Sequence, residues 1–334
     1  MTKLLSRLTL CLAACLCAGM AHAADPVIFD TDVDFDDTVA LAALAQQHLD
    51  GVIELRAVTI TNNGAGFPGK AYQHARCLLD SLGLPNVPVA DQTYPLPHAF
   101  PLNLRFAVDV ILDQAIPDCA AGHVPPTRSA SDLLADEIQN SEGRLTIVAT
   151  GPITNVATAF DTLRARGAGR AVQLIDRAYV LGGAIHAGGG LEGVPGFDNT
   201  QELNVWGDPA AAQAVFAALR PGALHLVADA VLDVPVRVGY IGTLTAAART
   251  PSAIYVATLM NNPILLGAIN AGLPVFWWDP LAALAATDPT LVDDDWLSID
   301  VVQDGPSSGR TIESRPVCGC ASACRRIRLD SSAR

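Results

Sequence analysis

Short apolar, β-branched runs recur along the chain, each closing on polar or glycine residues and leading into a helix-period pattern. PVIFDTD (26–32) precedes DTVALAALAQQ, IELRAVTITNN (53–63) precedes KAYQHARCLLDSLG, and RLTIVATGP (144–152) precedes ITNVATAFDTLRARG. RAYVLGG (177–183) runs into a glycine-rich stretch, and ALHLVADA (223–230) is a fifth candidate strand. Strands alternating with helices predict an α/β fold with a mostly parallel central sheet and helices on both faces. Residues 91–130 and 184–200 are rich in Pro and Gly and read as long loops, which in such folds tend to rim a site. No internal repeat or low-complexity block divides the chain, so residues 24–334 are expected to form a single domain.

The unusual polar residues fall where the predicted strands end. Asp30 and Asp32 close the first, Asn62 and Asn63 the second, Thr150 the third, and Gly182 and Gly183 the fourth. Open α/β sheets bind ligands at the carboxyl ends of their strands, so these scattered groups should converge on one edge.

The first 23 residues read differently. MTKLLSR carries two cations, LTLCLAACLCAGM is a short apolar run, and Ala21-His22-Ala23 is an A-x-A signal. That pattern predicts a secretory signal peptide cleaved after Ala23, and a periplasmic or secreted protein with no membrane attachment after cleavage. LAAC ending at Cys15 offers a lipoprotein cleavage site as the alternative. The formal charge of −13 becomes −15 without Lys3 and Arg7, which disfavours nucleic acid and anionic membranes as partners. Five of the eight cysteines follow the leader (Cys77, Cys119, Cys318, Cys320 and Cys324), and an odd number leaves at least one thiol unpaired. The terminal C-x-C-x3-C lacks a fourth ligand and the usual C-x2-C spacing, so disulfides or incidental cysteines are favoured there over metal.

FDTDVDFDD packs Asp30, Asp32, Asp34, Asp36 and Asp37 into residues 29–37. Carboxylates this close cannot all ionise without a cation or large pKa shifts. Oxygen ligands with no nearby His or Cys point to Ca²⁺ or Mg²⁺. An exposed acidic turn with helix caps would account for Asp36 or Asp37, but not for aspartates ending a buried strand. An EF-hand fails because its sixth position is Phe35 and its twelfth is Leu41. An aspartyl phosphatase fits poorly: Val33-Asp34-Phe35 is wrong after the D-x-D, and Lys70 is the only lysine beyond the leader.

DTDVDFDD resembles the D-x-D-x3-D-D signature of the inosine-uridine-type nucleoside hydrolases. ATGPITNVA (149–157), YVLGGAI (179–185), QELNVWGDPAAAQAVF (201–216) and WWDPLAALAATDP (277–289) follow in that family's order. The resemblance implies a Rossmann-like nucleoside hydrolase fold and Ca²⁺-assisted cleavage of the N-glycosidic bond of a ribonucleoside, a small-molecule substrate. It implies Asp32, Asp37, Thr150 (through its carbonyl) and Asp279 as metal ligands, with Asp32 also the general base toward water. Asp36, Asn62, Glu202 and Asn204 resemble the ribose-binding groups, and the ribose hydroxyls would complete the metal's shell. The expected assembly is a homodimer or homotetramer.

Two departures matter. Val33-Asp34 stands where the much-studied form has Pro-Gly. Trp278 stands where the pyrimidine-competent branch has a His acting on the leaving base. An indole stacks on a purine instead of donating a proton, so the resemblance is closer to the purine-preferring branch, although Trp277 and Trp278 also suit a core. His98 and His186, on presumed loops, are further candidates for base contact, whereas His48 and His74 read as surface or packing residues. The stretch after SSGRTI is the least family-like, with a last strand and no final helix expected. The alternative from another class is a periplasmic ribose or nucleoside binding protein without turnover.

Overall fold

The computed structural model describes residues 24–117, 123, 126–142, 144–189, 195–227, 229–314 and the backbone of 323–329. The signal peptide, the lipoprotein alternative at Cys15, and Cys119, Cys318 and Cys320 lie outside the described residues. Cys77 is disulfide-bonded.

The first half of the chain alternates as its pattern predicts. Strand β1 (Asp25–Thr31) leads to α1 (Phe35–Leu49), β2 (Ile53–Thr61) to α2 (Lys70–Ser81), and β3 (Val89–Gln92) to α3 (Leu102–Ala115) and α4 (Ala130–Gln139). Next come β4 (Leu145–Ala149), α5 (Thr154–Ala165), β5 (Ile175–Val180), α6 (Leu203–Gly207), α7 (Pro209–Ala218) and β6 (Leu224–Leu226). Helices α8 (Val238–Ala247), α9 (Pro251–Met260), α10 (Pro263–Asn270) and α11 (Trp278–Thr287) follow without an intervening strand, and β7 (Val292–Val301), β8 (Thr311–Glu313) and β9 (Ala323–Leu329) close the order.

The sheet order is β3-β2-β1-β4-β5-β6-β9-β7-β8. The first six strands are all parallel, β9 continues parallel to β6, and β7 and β8 form an antiparallel end. The chain order reverses at β1 and β4, so the switch-point crevice opens beyond Thr31 and Ala149. Alternate residues of β1 face opposite layers, as strand geometry requires. Val27 and Phe29 pack with Leu41 and Leu44 of α1, Leu78 of α2, Leu259 of α9 and Leu281 of α11. Ile28 packs on the other face with Leu134 of α4, Phe160 of α5 and Phe216 of α7. Among the described residues no single helix is long and apolar enough to cross a membrane.

The long loop expected over 91–130 is corrected: it holds the end of β3 and all of α3. Val108, Ile111, Leu112 and Ala115 bury the i, i+3, i+4, i+7 stripe of that helix, and the preceding prolines concealed the signal. The strand expected over 223–230 shrinks to Leu224–Leu226 before a 3₁₀ turn at Asp229–Asp233. The last strand is present as β9, between β6 and β7.

Candidate active site

Strand β1 stops where Val33 takes a φ of 61°, a costly conformation for a β-branched residue. Such strain, about 1–3 kcal/mol, persists where the surroundings hold the chain. Here the Val33 amide donates to Thr31 Oγ1 at 3.0 Å, and the turn hands the chain directly to α1. Asp34 caps that helix in a capping box: its side chain accepts from the helix backbone, while its own amide donates to Asp37 Oδ2 at 2.7 Å. Asp36 and Asp37 thereby occupy the first turn, where the helix dipole favours negative charge.

Asp37 Oδ1 accepts from Thr31 Oγ1 at 2.6 Å and from Thr150 Oγ1. Asp32 Oδ2 accepts the Ala65 amide at 2.6 Å, and its main-chain carbonyl accepts the Gly66 amide at 2.8 Å. Glycine is needed here, since a Cβ on Gly64 would stand 1.8 Å from Asp32 Oδ2. A second helix start, that of α11, brings Asp279, whose amide donates to Asp36 Oδ2 at 3.3 Å. Asp279 Oδ1 is buried without a hydrogen-bond partner.

One cavity collects these groups. Asp32, Asp34, Asp36, Asp37, Thr150 and Asp279 line it together with Glu202, Asn204, Asp229 and Trp278. Its non-atom space, open solvent at the mouth included, is about 910 Å³. Glu202 caps α6, accepting from the amides of Asn204 at 2.9 Å and Val205 at 3.0 Å. Asn204 Nδ2 donates to the carbonyls of Thr150 at 2.8 Å and Leu181 at 3.3 Å, leaving Oδ1 as its acceptor. The rest of the lining is apolar, including Phe35, Phe100, Leu104, Val227 and Val231. Phe35 and Phe276 set their rings edge-on to Trp278, at 6.4 and 5.6 Å between centroids.

Crowding leaves an electrostatic debt. Burial, then repulsion from Asp37, pushes Asp32 well above the usual carboxylate range. Burial and the charges of Asp36, Asp37, Asp32 and Asp34 do the same to Asp279, and burial with repulsion from Asp34 and Asp37 raises Asp36. Burial raises Asp37 as well, against the bonds it accepts. Asp30, Asp34 and Glu202 are each raised to about 7, chiefly by burial. An all-oxygen donor set, with an orphaned Asp279 oxygen and buried acids short of positive charge, suits a hard divalent cation. Asp32, Asp37, Thr150 and Asp279, which the resemblance implies as metal ligands, all line this cavity and could hold such an ion.

His74, Asp109 and Asp113 are the one group of His, Cys, Asp or Glu among the described residues whose ligand atoms all lie within 4.8 Å of one another. The Lys70 ammonium already fills that position, 3.8 Å from Asp109 and 2.6 Å from Asp113. The aspartate cluster at the cavity is wider, which a cation tolerates: ligands on opposite sides of Ca²⁺ stand about 5 Å apart.

Asn62, which the resemblance implies as a ribose ligand, is not among the residues that line the cavity. Its amide donates to Asp91 Oδ2 at 2.8 Å and Thr93 Oγ1 at 3.3 Å, tying the end of β2 sideways to the end of β3. His98 stacks on Trp206 at 4.6 Å, and His186 is exposed with its amide on Asp229; neither lines the cavity. Trp277 packs edge-on against Tyr240 instead. Sequence reasoning missed the apolar lining and Asp229, which only the fold assembles. Asp229 accepts the amides of Ile185 at 3.0 Å and His186 at 2.9 Å, and so anchors the glycine-rich loop.

The chain is 31% identical over 195 residues to the "Probable uridine nucleosidase 2" of Oryza sativa subsp. japonica, covering 58% of this chain and 53% of that one. It is 32% identical over 194 residues to the "Pyrimidine-specific ribonucleoside hydrolase RihA" of Shewanella sp. (strain MR-7), covering 57% and 55%. The matches thus span just over half the length of these curated relatives. An inosine-uridine preferring nucleoside hydrolase from Bacillus anthracis superposes with a TM-score of 0.74 at 22% identity, over 92% of this chain and 95% of that one. A purine-preferring ribonucleoside hydrolase from Gardnerella vaginalis gives 0.73 at 24%, over 92% and 95%; both show the shared fold. The family model described as "Inosine-uridine preferring nucleoside hydrolase" matches residues 27–326, and the chain belongs to that family.

Proposed function

We propose that the protein is an exported, Ca²⁺-dependent hydrolase that cleaves the N-glycosidic bond of ribonucleosides, purine nucleosides above all, to free base and ribose. The observation that carries this reading is the single cavity in which Asp32, Asp37, Thr150 and Asp279 meet Glu202, Asn204 and Trp278. Purine preference runs against the names of the curated relatives, and rests on Trp278 standing immediately before Asp279. Export is supported by the leader pattern and by the disulfide at Cys77.

A Ca²⁺ ion held by Asp32, Asp37, Asp279 and the Thr150 carbonyl would supply fixed positive charge, keep these carboxylates ionised and acidify a nearby water. Asp32, its Oδ2 fixed by the Ala65 amide, takes the proton of the attacking water. Asp36, Glu202 and Asn204 Oδ1 accept from ribose hydroxyls and orient the sugar. The surrounding carboxylates stabilise the positive charge that develops on the ribose ring as the base departs. Trp278, braced by Phe35 and Phe276, stacks on the base.

The test is inosine incubated with the purified protein, with calcium and with chelator. Hypoxanthine and a reducing sugar should appear only with calcium. A tight complex without products would replace this reading by a nucleoside-binding protein.

A further inference from the structure

The loop between β2 and α2 is gripped from both sides. Its inner amides, those of Ala65 and Gly66, hold the carboxylate and the carbonyl of Asp32. Its outer carbonyls are held by Arg105 of α3, which donates from Nη2 to Asn62 at 3.0 Å and to Gly66, and from Nε to Ala65 at 3.3 Å. One peptide unit links the two sides: the carbonyl of Ala65 accepts from Arg105, while the amide of Gly66, in the same plane, donates to Asp32. A guanidinium at one end of a peptide strengthens the bond at the other by polarisation. Arg105 is itself fixed, with its carbon Cζ 4.3 Å from the centroid of the Phe67 ring. The loop has no slack, because a Cβ on Gly64 would overlap Asp32 and one on Gly66 would stand 2.7 Å from the Asp32 carbonyl.

We infer that Arg105 is a positioning residue of the reaction: by holding the outer carbonyls of the 62–66 loop it fixes the inner amides that aim Asp32. Arg105 makes no hydrogen bond to Asp32 and does not line the cavity; its charge acts on Asp32 from a distance, and its hydrogen bonds act through the loop. The planar fork is essential, since a lysine ammonium cannot reach three carbonyls spread along the loop in that geometry. This role rests on the hydrolase reading of Asp32.

The experiment compares Arg105→Ala and Arg105→Lys with Phe106→Ala. Phe106 packs on Phe67 at 5.2 Å without contacting the loop carbonyls, so its variant loosens packing and keeps the fork. In folded Arg105→Ala, kcat for inosine should fall about 100-fold with KM changed by less than about threefold, as expected for a misaimed base. Arg105→Lys, which retains the stem and the charge, should fall by at least about 10-fold, the lower range for lost outer-shell support. Phe106→Ala should stay within about threefold of wild type in kcat. Hydrogen exchange followed by mass spectrometry should show faster exchange in peptides covering 62–67 and 29–33 for both Arg105 variants only. An unchanged kcat in either folded Arg105 variant, or an equal loss in Phe106→Ala, overturns the inference. Should Arg105→Ala fail to fold, Arg105→Lys decides by the same readouts. Should the wild type leave inosine intact, the hydrolase reading fails separately, and unaltered exchange over 29–33 overturns the positioning role.

Discussion

The backbone amide of Asp279 donates to Asp36 Oδ2 at 3.3 Å, although the two residues lie 243 positions apart in the chain. The bond ties the first turn of α11 to the first turn of α1, so two helix N-termini face one group of acids. Their dipoles offset part of the repulsion but not all of it, and the remainder is what a bound cation would offset.

Stability of the metal-free protein should therefore fall as pH rises. Burial raises Asp30 and Asp34 from 3.8 to about 7, and Glu202 from 4.5 to about 7. Between those values the folded state holds protons that the unfolded state has released, so the stabilisation is complete below the lower value and lost through the upper one. In chelator, the melting temperature should be lower near pH 7.5 than near pH 5, and calcium should restore it at the higher pH. Thermal denaturation at the two pH values checks this, and Asp279→Asn should shrink the calcium-induced shift.

Asp32→Asn removes the base and keeps an acceptor for the Ala65 amide. Turnover of inosine should drop by about 10²–10⁴-fold, the usual contribution of a general base, while the melting temperature in chelator stays the same or rises. Steady-state kinetics beside a melting curve separates the two effects.

Trp278→Ala should weaken the purine side selectively. Loss of a stacking partner worth about 0.5–1.5 kcal/mol corresponds to roughly a 2- to 10-fold fall in kcat/KM for inosine, with uridine less affected. Equal turnover of both nucleosides by the wild type would already contradict the preference.

Gly64→Ala places a Cβ 1.8 Å from Asp32 Oδ2. The loop or the carboxylate must then move, and a shift of about 1 Å is expected to cost about 100-fold in kcat. Overpacking of this kind should also lower stability by about 1–3 kcal/mol, measurable by denaturant titration.

The aspartate run was legible because charge at the end of a buried strand needs an explanation that local structure alone does not offer. Thr150, Glu202, Asn204 and Asp279 became legible through ordered motifs, each at a strand end or helix start that the switch-point crevice gathers. Asn62 was carried over by position from the family pattern, but adjacent asparagines close β2: the structure ties Asn62 to Asp91 and Asn63 to the Tyr94 backbone, and neither lines the cavity. Helix α3 was hidden by the proline-rich run before it, although its buried stripe is regular. Leu104, Val227 and Val231 carry no local signal, since an apolar residue beside a ligand and one beside a core side chain look alike in sequence.

Strand β9 comes after β7 and β8 in the chain yet stands between β6 and β7 in the sheet. A polypeptide emerging from its N-terminus can zip the six parallel strands together while the β7–β8 pair still lacks the strand that joins it to their sheet. Completion of the sheet is thus postponed until residues 323–329 have been delivered, which keeps that flank open to unwanted strand pairing during synthesis.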